Sequence, residues 1–385
     1  MTDFAEPAEY ADIRQAVRAI AAKHGLAEYA ERGRTSTPQS ELWAELGEAG
    51  FIGINVPERF GGGGAGMSEL ALVAEESAAA GCPLLLLLVS SAISVEILSR
   101  HGSAEQQQRW LTAMADGSTK MAFAITEPDA GSNSHRISTT ARRDGDDYLI
   151  SGSKYYISGV DEAAAVLTVA ATGRDPDSGK ARLSLFIVPS DAPGLRASRL
   201  EVAAQIPDRQ FTLFYDEVRV PASARVGDEN AGLTLLFDGL NPERITAAAL
   251  CVGIGRFAVH TAARYASDRS VWSAPLATHQ GVAHPLARAA INVELAALMT
   301  AKAAWLHDRG EPAGEASNMA KFAAAEAAVE AVDAAIQAHG GNGLSVEYGL
   351  MPLYGMARLL QIAPVNREMV LNYIAAHTLG MPRSY

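Results

Sequence analysis

The periodicity of apolar residues changes twice along this chain, from helical to extended and back, and that order excludes a single continuous bundle or sheet. From Thr2 to about Gly117, helical stretches alternate with glycine punctuation, densest at Phe60-Gly61-Gly62-Gly63-Gly64-Ala65-Gly66. Ser40 to Leu46 and Ser68 to Ala79 place apolar residues three and four apart, which predicts amphipathic helices. Between Lys120 and about Arg225 the runs shorten and fill with β-branched and aromatic residues, as in Tyr148-Leu149-Ile150, Tyr155-Tyr156-Ile157, Ala165 to Val169 and Ser184 to Val188. Asp144-Gly145, Ser151-Gly152 and Pro193-Gly194 read as turns between them. After Gly227 the chain is alanine-rich, and Gly232 to Asp268, His279 to Arg309, Gly314 to Ala338 and Pro364 to Leu379 can each hold a helix. The predicted fold class is α+β: an amino-terminal helical domain over 1–118, a middle antiparallel β domain over 119–228, and a carboxyl-terminal four-helix bundle over 229–385.

Charge and cysteine usage narrow the function. Thirty-two basic against 44 acidic residues leave a formal charge of −12, which argues against nucleic acid or an anionic membrane as partner. Cys82 and Cys251, the two cysteines, are far apart and form no CxxC, so neither a disulfide framework nor a cysteine metal site is expected and the compartment is read as cytoplasmic. The uncharged stretch Gly81 to Val95 spans 95 − 81 + 1 = 15 residues. A bilayer span needs about 20, so a core helix is expected there. The amino-terminal MTDFAEPAEYADIRQ is acidic and lacks the order of a signal peptide.

Four motifs follow in fixed order: Ala124-Ile125-Thr126-Glu127-Pro128-Asp129-Ala130-Gly131-Ser132-Asn133; Lys154-Tyr155-Tyr156-Ile157-Ser158-Gly159; Asp268 to Leu276 with Gln280; and Gln337-Ala338-His339-Gly340-Gly341-Asn342-Gly343. The first is a polar turn whose backbone N–H groups and hydroxyls suit an oxygen-rich ligand, though a loop satisfied by its own turns reads the same way. Taken together, and with the helical, β, helical order, the four motifs resemble the acyl-CoA dehydrogenase family of FAD-dependent flavoproteins over nearly the whole chain, from Pro57 to the last helix.

The resemblance implies a set of roles. Phe123, Ile125, Thr126, Gly131 and Ser132 match positions that line the flavin and the start of the acyl-CoA site; Tyr156 and Ser158 match the pair covering the isoalloxazine. Tyrosine replaces the usual tryptophan at Tyr156 and keeps a flat apolar face. Arg269, Gln337, Gly340 and Gly341 match positions that reach the FAD of a neighbouring subunit, where a permanent bidentate charge suits pyrophosphate. Trp272-Ser273 stands in place of the usual Phe-Gly after that arginine and keeps an aromatic there. The resemblance further implies a homotetramer, an acyl-CoA or acyl-carrier-protein thioester as substrate, and reoxidation by an electron-transferring flavoprotein.

The base is where this chain departs from the pattern. Most relatives carry a glutamate in a Gln-Ile-Tyr-Glu-Gly-Thr run, but here the run reads Gln361-Ile362-Ala363-Pro364-Val365-Asn366. Pro364 removes both that carboxylate and its backbone N–H. A second branch of the family, which includes enzymes for isovaleryl and long-chain substrates, carries the glutamate on a bundle helix beside an arginine. Leu240-Asn241-Pro242-Glu243-Arg244 matches that stretch, and 269 − 244 = 25 keeps the interval to Arg269. The resemblance therefore makes Glu243 the α-proton base, with Ser132, Asn241 and Arg244 near the substrate. Asn241-Pro242 alone reads as an N-cap and first helical position, placing Glu243 in a first turn, where the helix dipole favours a carboxylate whether or not it does chemistry. Such a position lowers the pKa of a group that works better raised.

The expected reaction is α,β-dehydrogenation of an acyl-CoA to a trans-2-enoyl-CoA, with proton removal by Glu243 and hydride transfer to FAD N5. Two other readings compete: a scaffold subunit that has lost chemistry, and a flavin monooxygenase or oxidase on the same fold. Glu347 and Glu368 are read as capping or pairing residues. His135, His279, His284 and His339 form no metal spacing, and Gly61 to Gly66 lacks the Lys-Ser/Thr ending of a phosphate loop.

Overall fold

In the computed structural model, which describes residues 6–383, the chain first lays down helices α1 (Ala8–Ala21), α2 (Gly25–Thr35), α3 (Ser40–Glu48) and α4 (Met67–Ala79). The first five residues of the acidic amino-terminal segment lie outside the described residues. The uncharged stretch expected to be a core helix is buried and continues into α5 (Val95–His101), but from Leu87 to Ser94 it is wound as a π-helix. Ser94 suits that winding, since its hydroxyl donates to the carbonyl of Val89 five residues back. Two short turns, α6 (Ala104–Gln106) and α7 (Thr112–Ala115), lead into the sheet.

Strands β1 (Lys120–Ala124), β2 (Thr140–Asp144), β3 (Asp147–Ser158), β4 (Ala163–Arg174), β5 (Ala181–Pro189), β6 (Leu195–Leu200), β7 (Gln210–Pro221) and β8 (Arg225–Val226) form one sheet. Its order is β6-β7-β3-β2-β4-β5-β8, with β1 beside β4. Most pairings are antiparallel, but β1 and β2 each meet β4 in parallel. Ser151-Gly152, expected to be a turn, lies inside β3, where the register to β7 shifts between Ile150 and Gly152. The ladder continues on both sides, so the glycine marks a bulge.

The rest is helical: α8 (Gly232–Asp268), the hairpin β9 (Ser270–Val271) and β10 (Ala274–Pro275), then α9 (Gln280–Asp308), α10 (Gly314–His339), α11 (Leu350–Ile362) and α12 (Arg367–Tyr373). Helix α11 had no counterpart in the sequence reading, and the segment 364–379 holds α12 followed by a π-helical turn, Ile374–Thr378. The amino-terminal helices and the bundle share one core, in which Val17, Trp43, Leu70 and Ala78 pack with Ile245, Leu250, Ala324 and Leu353. A second core joins α5 and the start of α8 to one face of the sheet; a third covers the other face.

By length and composition α8 and α9 could each cross a bilayer, but 72% of the apolar window of α8 is buried in the fold against 33% of that of α9. Helix α9 leaves Ile291, Leu295, Leu298 and Trp305 exposed along one face.

Candidate active site

The first motif is built around a buried ion pair. Lys154, in β3, and Glu127 meet at 2.9 Å with side chains 0% and 3% exposed. The ammonium also donates to the Ile125 carbonyl at 3.0 Å. Ser138 donates to one oxygen of Glu127 through its backbone N–H and its hydroxyl, and the Thr139 N–H donates to the other. Burial draws Lys154 down to about 8 against the pull of Glu127. Burial also works to raise Glu127, but the Lys154 charge and the Ser138 and Thr139 bonds outweigh it and hold the carboxyl at about 2.

This pair fixes the turn that carries the predicted ligand contacts. Tyr155 N–H donates to the Thr126 carbonyl at 2.8 Å, and Glu127 and Ala130 exchange backbone bonds at 3.1 Å. Phe123 is buried at the end of β1, Ile125 and Thr126 are half-buried, and Gly131 and Ser132 reach the surface. Tyr156 adopts a left-handed φ of 56° and leaves its ring 54% exposed. Ser158 donates to Gln210 at 3.0 Å. Asn366, past Pro364, donates to the Ser132 hydroxyl at 2.8 Å and ties the carboxyl-terminal segment to this turn.

A second group gathers where α8 and α10 end. Tyr265 stacks on His339 at 4.0 Å, with Tyr348 edge-on to both. Beyond them Arg269 is exposed and starts the β9–β10 hairpin, whose tip carries Trp272 at φ 57° and 95% exposed. Gln337 and Gly340-Gly341 lie exposed at the end of α10, with nothing within 4 Å of where a Cβ would stand on either glycine.

The carboxylate stands elsewhere than the Asn-Pro signal implies. Helix α8 runs unbroken from Gly232, so Asn241 is not an N-cap, Pro242 sits inside the helix, and Glu243 is mid-helix. Packing overrides the local signal: Leu235 and Leu236 join Ile93 and Ile97 in one core, and a Cβ on Gly239 would stand 2.8 Å from Ile97. Glu243 is buried, and desolvation drives its pKa to about 8 although Arg244 and Lys321 pull it down. The conflict between dipole and base therefore disappears, because the group lies well beyond the first turn.

Around Glu243 the neighbours are cationic. Arg244 is buried and donates through one terminal nitrogen to the Leu240 carbonyl and to Asn241 Oδ1 at 3.0 Å. Its Nε is buried with no hydrogen-bond partner among the described residues. Lys321, on α10, donates to the carbonyls of Gln361, at 3.2 Å, and Val365. These two carbonyls flank Pro364, so the carboxylate and the departed loop position share one lysine.

The sequence alone assigns no role to Lys154, Glu127 or Asn366, and nothing in the motifs singles out Lys321. A signal was available for Lys321: it occupies the apolar stripe Ala320, Ala324, Ala325, Ala328 of α10, where a charge needs a partner. Glu347 and Glu368 are exposed, Glu368 within 3.3 Å of Arg367. In the glycine-rich turn the N–H groups of Gly63, Gly64 and Ala65 are already bonded to carbonyls of Gly53, Val56 and Ile54. They are unavailable to a phosphate. Among the described residues no group of three or more His, Cys, Asp or Glu could hold a metal.

These two groups suit a flavin dinucleotide. The half-exposed Tyr156 offers a flat apolar face, exposed Arg269 a permanent charge for pyrophosphate, and Gly340 and Gly341 open space for close backbone approach.

Comparison with known proteins agrees over the whole chain. Residues 7–118, 122–217 and 230–379 match the family models for the amino-terminal, middle and carboxyl-terminal domains of acyl-CoA dehydrogenase. Acyl-CoA dehydrogenase FadE12 of Mycobacterium tuberculosis is 55% identical, across 100% of this chain and 99% of its own. A glutaryl-coenzyme A dehydrogenase in complex with glutaryl-CoA superposes with a TM-score of 0.93 at 28% identity, over 100% of this chain and 98% of that one. PigA with FAD and proline superposes at 0.91 and 26% identity, over 99% and 100%.

Proposed function

The chain belongs to the acyl-CoA dehydrogenase family, and from that premise we propose that Glu243 removes the α-proton of its thioester substrate. The activity is FAD-dependent α,β-dehydrogenation of an acyl-CoA to the trans-2-enoyl-CoA; neither the scaffold nor the oxidase reading is favoured by these relatives. When bound, FAD supplies at N5 the acceptor for the β-hydrogen and its electron pair. Phe123, Ile125, Thr126, Gly131, Ser132, Tyr156 and Ser158 would hold its ring system, and Arg269, Trp272, Gln337, Gly340 and Gly341 of a neighbouring subunit its remaining length.

One observation carries the assignment of the base. Glu243 is a buried carboxyl whose charge is favoured by the same lysine that bonds on both sides of Pro364. The acid that relatives place on the loop is thus replaced from α8 within the same neighbourhood. Arg244 and Asn241 would meet the substrate, Arg244 with the Nε that has no hydrogen-bond partner among the described residues. Removing an acidic side chain at Pro364 leaves room beside the α-carbon, which favours branched or long acyl chains.

The test is an anaerobic titration with butyryl-CoA, isovaleryl-CoA and palmitoyl-CoA, following the visible flavin band. Bleaching by one of them supports the reading and selects the acyl class; a yellow protein that none bleaches counts against it. The pH dependence sharpens the test. Glu243 must lose its proton to act, and burial holds that loss at about 8, so kcat/KM should climb with pH through about 8 and level above it. A limb in the ordinary carboxylate range would move the base to another residue.

The active form is proposed to be a homotetramer in the cytoplasm, reoxidised by an electron-transferring flavoprotein. Buried, unpaired Cys82 and Cys251 suit a reducing compartment. Support for assembly comes from the exposed apolar face of α9, where Ile291, Leu295 and Leu298 are each 60% exposed in the single chain. Leu295→Glu should elute as a smaller species and lose its yellow colour, because FAD would span subunits. A variant that elutes as wild type with full flavin would place the interface elsewhere.

A further inference from the structure

We propose that Lys321 is a positioning residue that fixes the 361–365 segment against Glu243, so that the thioester α-carbon is held at the carboxylate. The proposal rests on the reading of Glu243 as the base. Lys321 is 1% exposed, and a buried ammonium is costly unless its donors are used. It uses them on the Gln361 carbonyl, in the last turn of α11, and on the Val365 carbonyl beyond Pro364. Helix ends leave such carbonyls without partners, so the ammonium caps α11 and clamps the chain that leaves it. Pro364 has no N–H with which to hold this segment, and the lysine supplies the missing attachment.

The same ammonium, whose pKa burial draws down to about 8, sets the field at the carboxylate for as long as it holds its proton. The charged and titratable groups facing it are Glu243, Arg244 and Cys251 on α8 and Glu326 on its own helix. Glu326 is engaged by the Gln361 side chain at 2.9 Å and by Arg367 at 3.2 Å. Arg244 repels the ammonium and Cys251 is a buried thiol, which leaves Glu243 as the acid whose ionisation Lys321 favours. Deleting the charge should raise the pH at which Glu243 ionises, while deleting the donors should loosen the 361–365 segment.

Lys321→Met, Lys321→Gln and Glu243→Gln holoenzymes would be compared by anaerobic stopped-flow reduction between pH 6 and 9.5. The probe is whichever of butyryl-, isovaleryl- or palmitoyl-CoA reduces wild type fastest, and flavin content and acyl-CoA binding are measured alongside. Lys321→Met should keep its flavin and bind acyl-CoA, lose roughly tenfold in limiting rate, and shift its acid limb alkaline by about one pH unit. Lys321→Gln, uncharged but still a donor, should show the same limb shift with a smaller loss of rate. A purely structural lysine would lower the melting temperature and leave the limb where it is, and that result overturns the proposal. Should Lys321→Met not fold, Lys321→Gln decides alone by whether its limb moves. Near-normal reduction in Glu243→Gln would instead overturn the base assignment, and with it this role. An inactive Glu243→Gln beside a wild-type-like Lys321 variant removes only the role of Lys321.

Discussion

Glu243→Gln should keep its flavin and bind acyl-CoA, yet its anaerobic reduction should slow by about 10³- to 10⁴-fold, the upper range for loss of a positioned general base. The amide is nearly isosteric, so the surroundings of Arg244 and Lys321 are retained while the proton acceptor is removed. Stopped-flow bleaching at pH 9, where wild-type Glu243 is ionised, reads the difference directly. A variant within tenfold of wild type at that pH would show that another group takes the proton.

The same substitution should move stability in the opposite direction. Because the folded protein binds the Glu243 proton more tightly than the unfolded chain, this residue costs stability as pH rises from the ordinary carboxylate range through about 8. Above that range the glutamine variant should melt higher than wild type, and at about pH 4 and below the two should converge. A site that loses activity while gaining stability identifies a carboxylate kept for chemistry.

Lys154→Met is expected to have the second-largest effect. It leaves the Glu127 carboxylate buried with its Ser138 and Thr139 bonds but no counter-charge, a class of change that costs roughly 3–5 kcal/mol. It also frees the Ile125 carbonyl, and with it the turn that presents Thr126, Gly131 and Ser132. The purified variant should be colourless or lose its flavin on dilution, with a melting temperature several degrees below wild type. Full flavin content and an unchanged melting temperature would mean the pair does not hold the turn. The Glu127→Gln, Lys154→Met double variant should recover part of the loss, since no buried charge is then left unpaired.

How much of this was legible beforehand depended on the range of the interaction. The switch from helical to extended periodicity between 117 and 120, and back after 227, reports burial residue by residue and is local. The boundaries of α8 at Gly232 and Asp268 follow the apolar run that the sequence displays. Asn241-Pro242 misled because a helix start is written in three or four residues, whereas the contacts of Gly239 and Leu236 with Ile93 and Ile97 that carry the helix through come from α5 and the π-helical turn before it. Ser151-Gly152 misled for a related reason: two residues that favour a turn sit comfortably in a bulge when β7 pairs on both sides. Lys154 and Lys321 could be seen as charges in apolar surroundings, but their partners lie far along the chain: Glu127 is 27 residues from Lys154, and Gln361 and Val365 are 40 and 44 residues from Lys321. The raised pKa of Glu243 was invisible to sequence, since burial belongs to the assembled fold.

Helix α8 carries Glu243 about three turns in from its start and hands the chain to Arg269 at its end. Twenty-five residues separate Arg244 from Arg269, so the helical path between them rises about 38 Å in close to seven turns. Length and phase are thereby locked together. Inserting or deleting one residue between them would displace the Trp272 hairpin by about 1.5 Å along the axis and swing it by about 100° around it. A change in the residue count of α8 would therefore part the proposed base from the hairpin that we propose meets the next subunit.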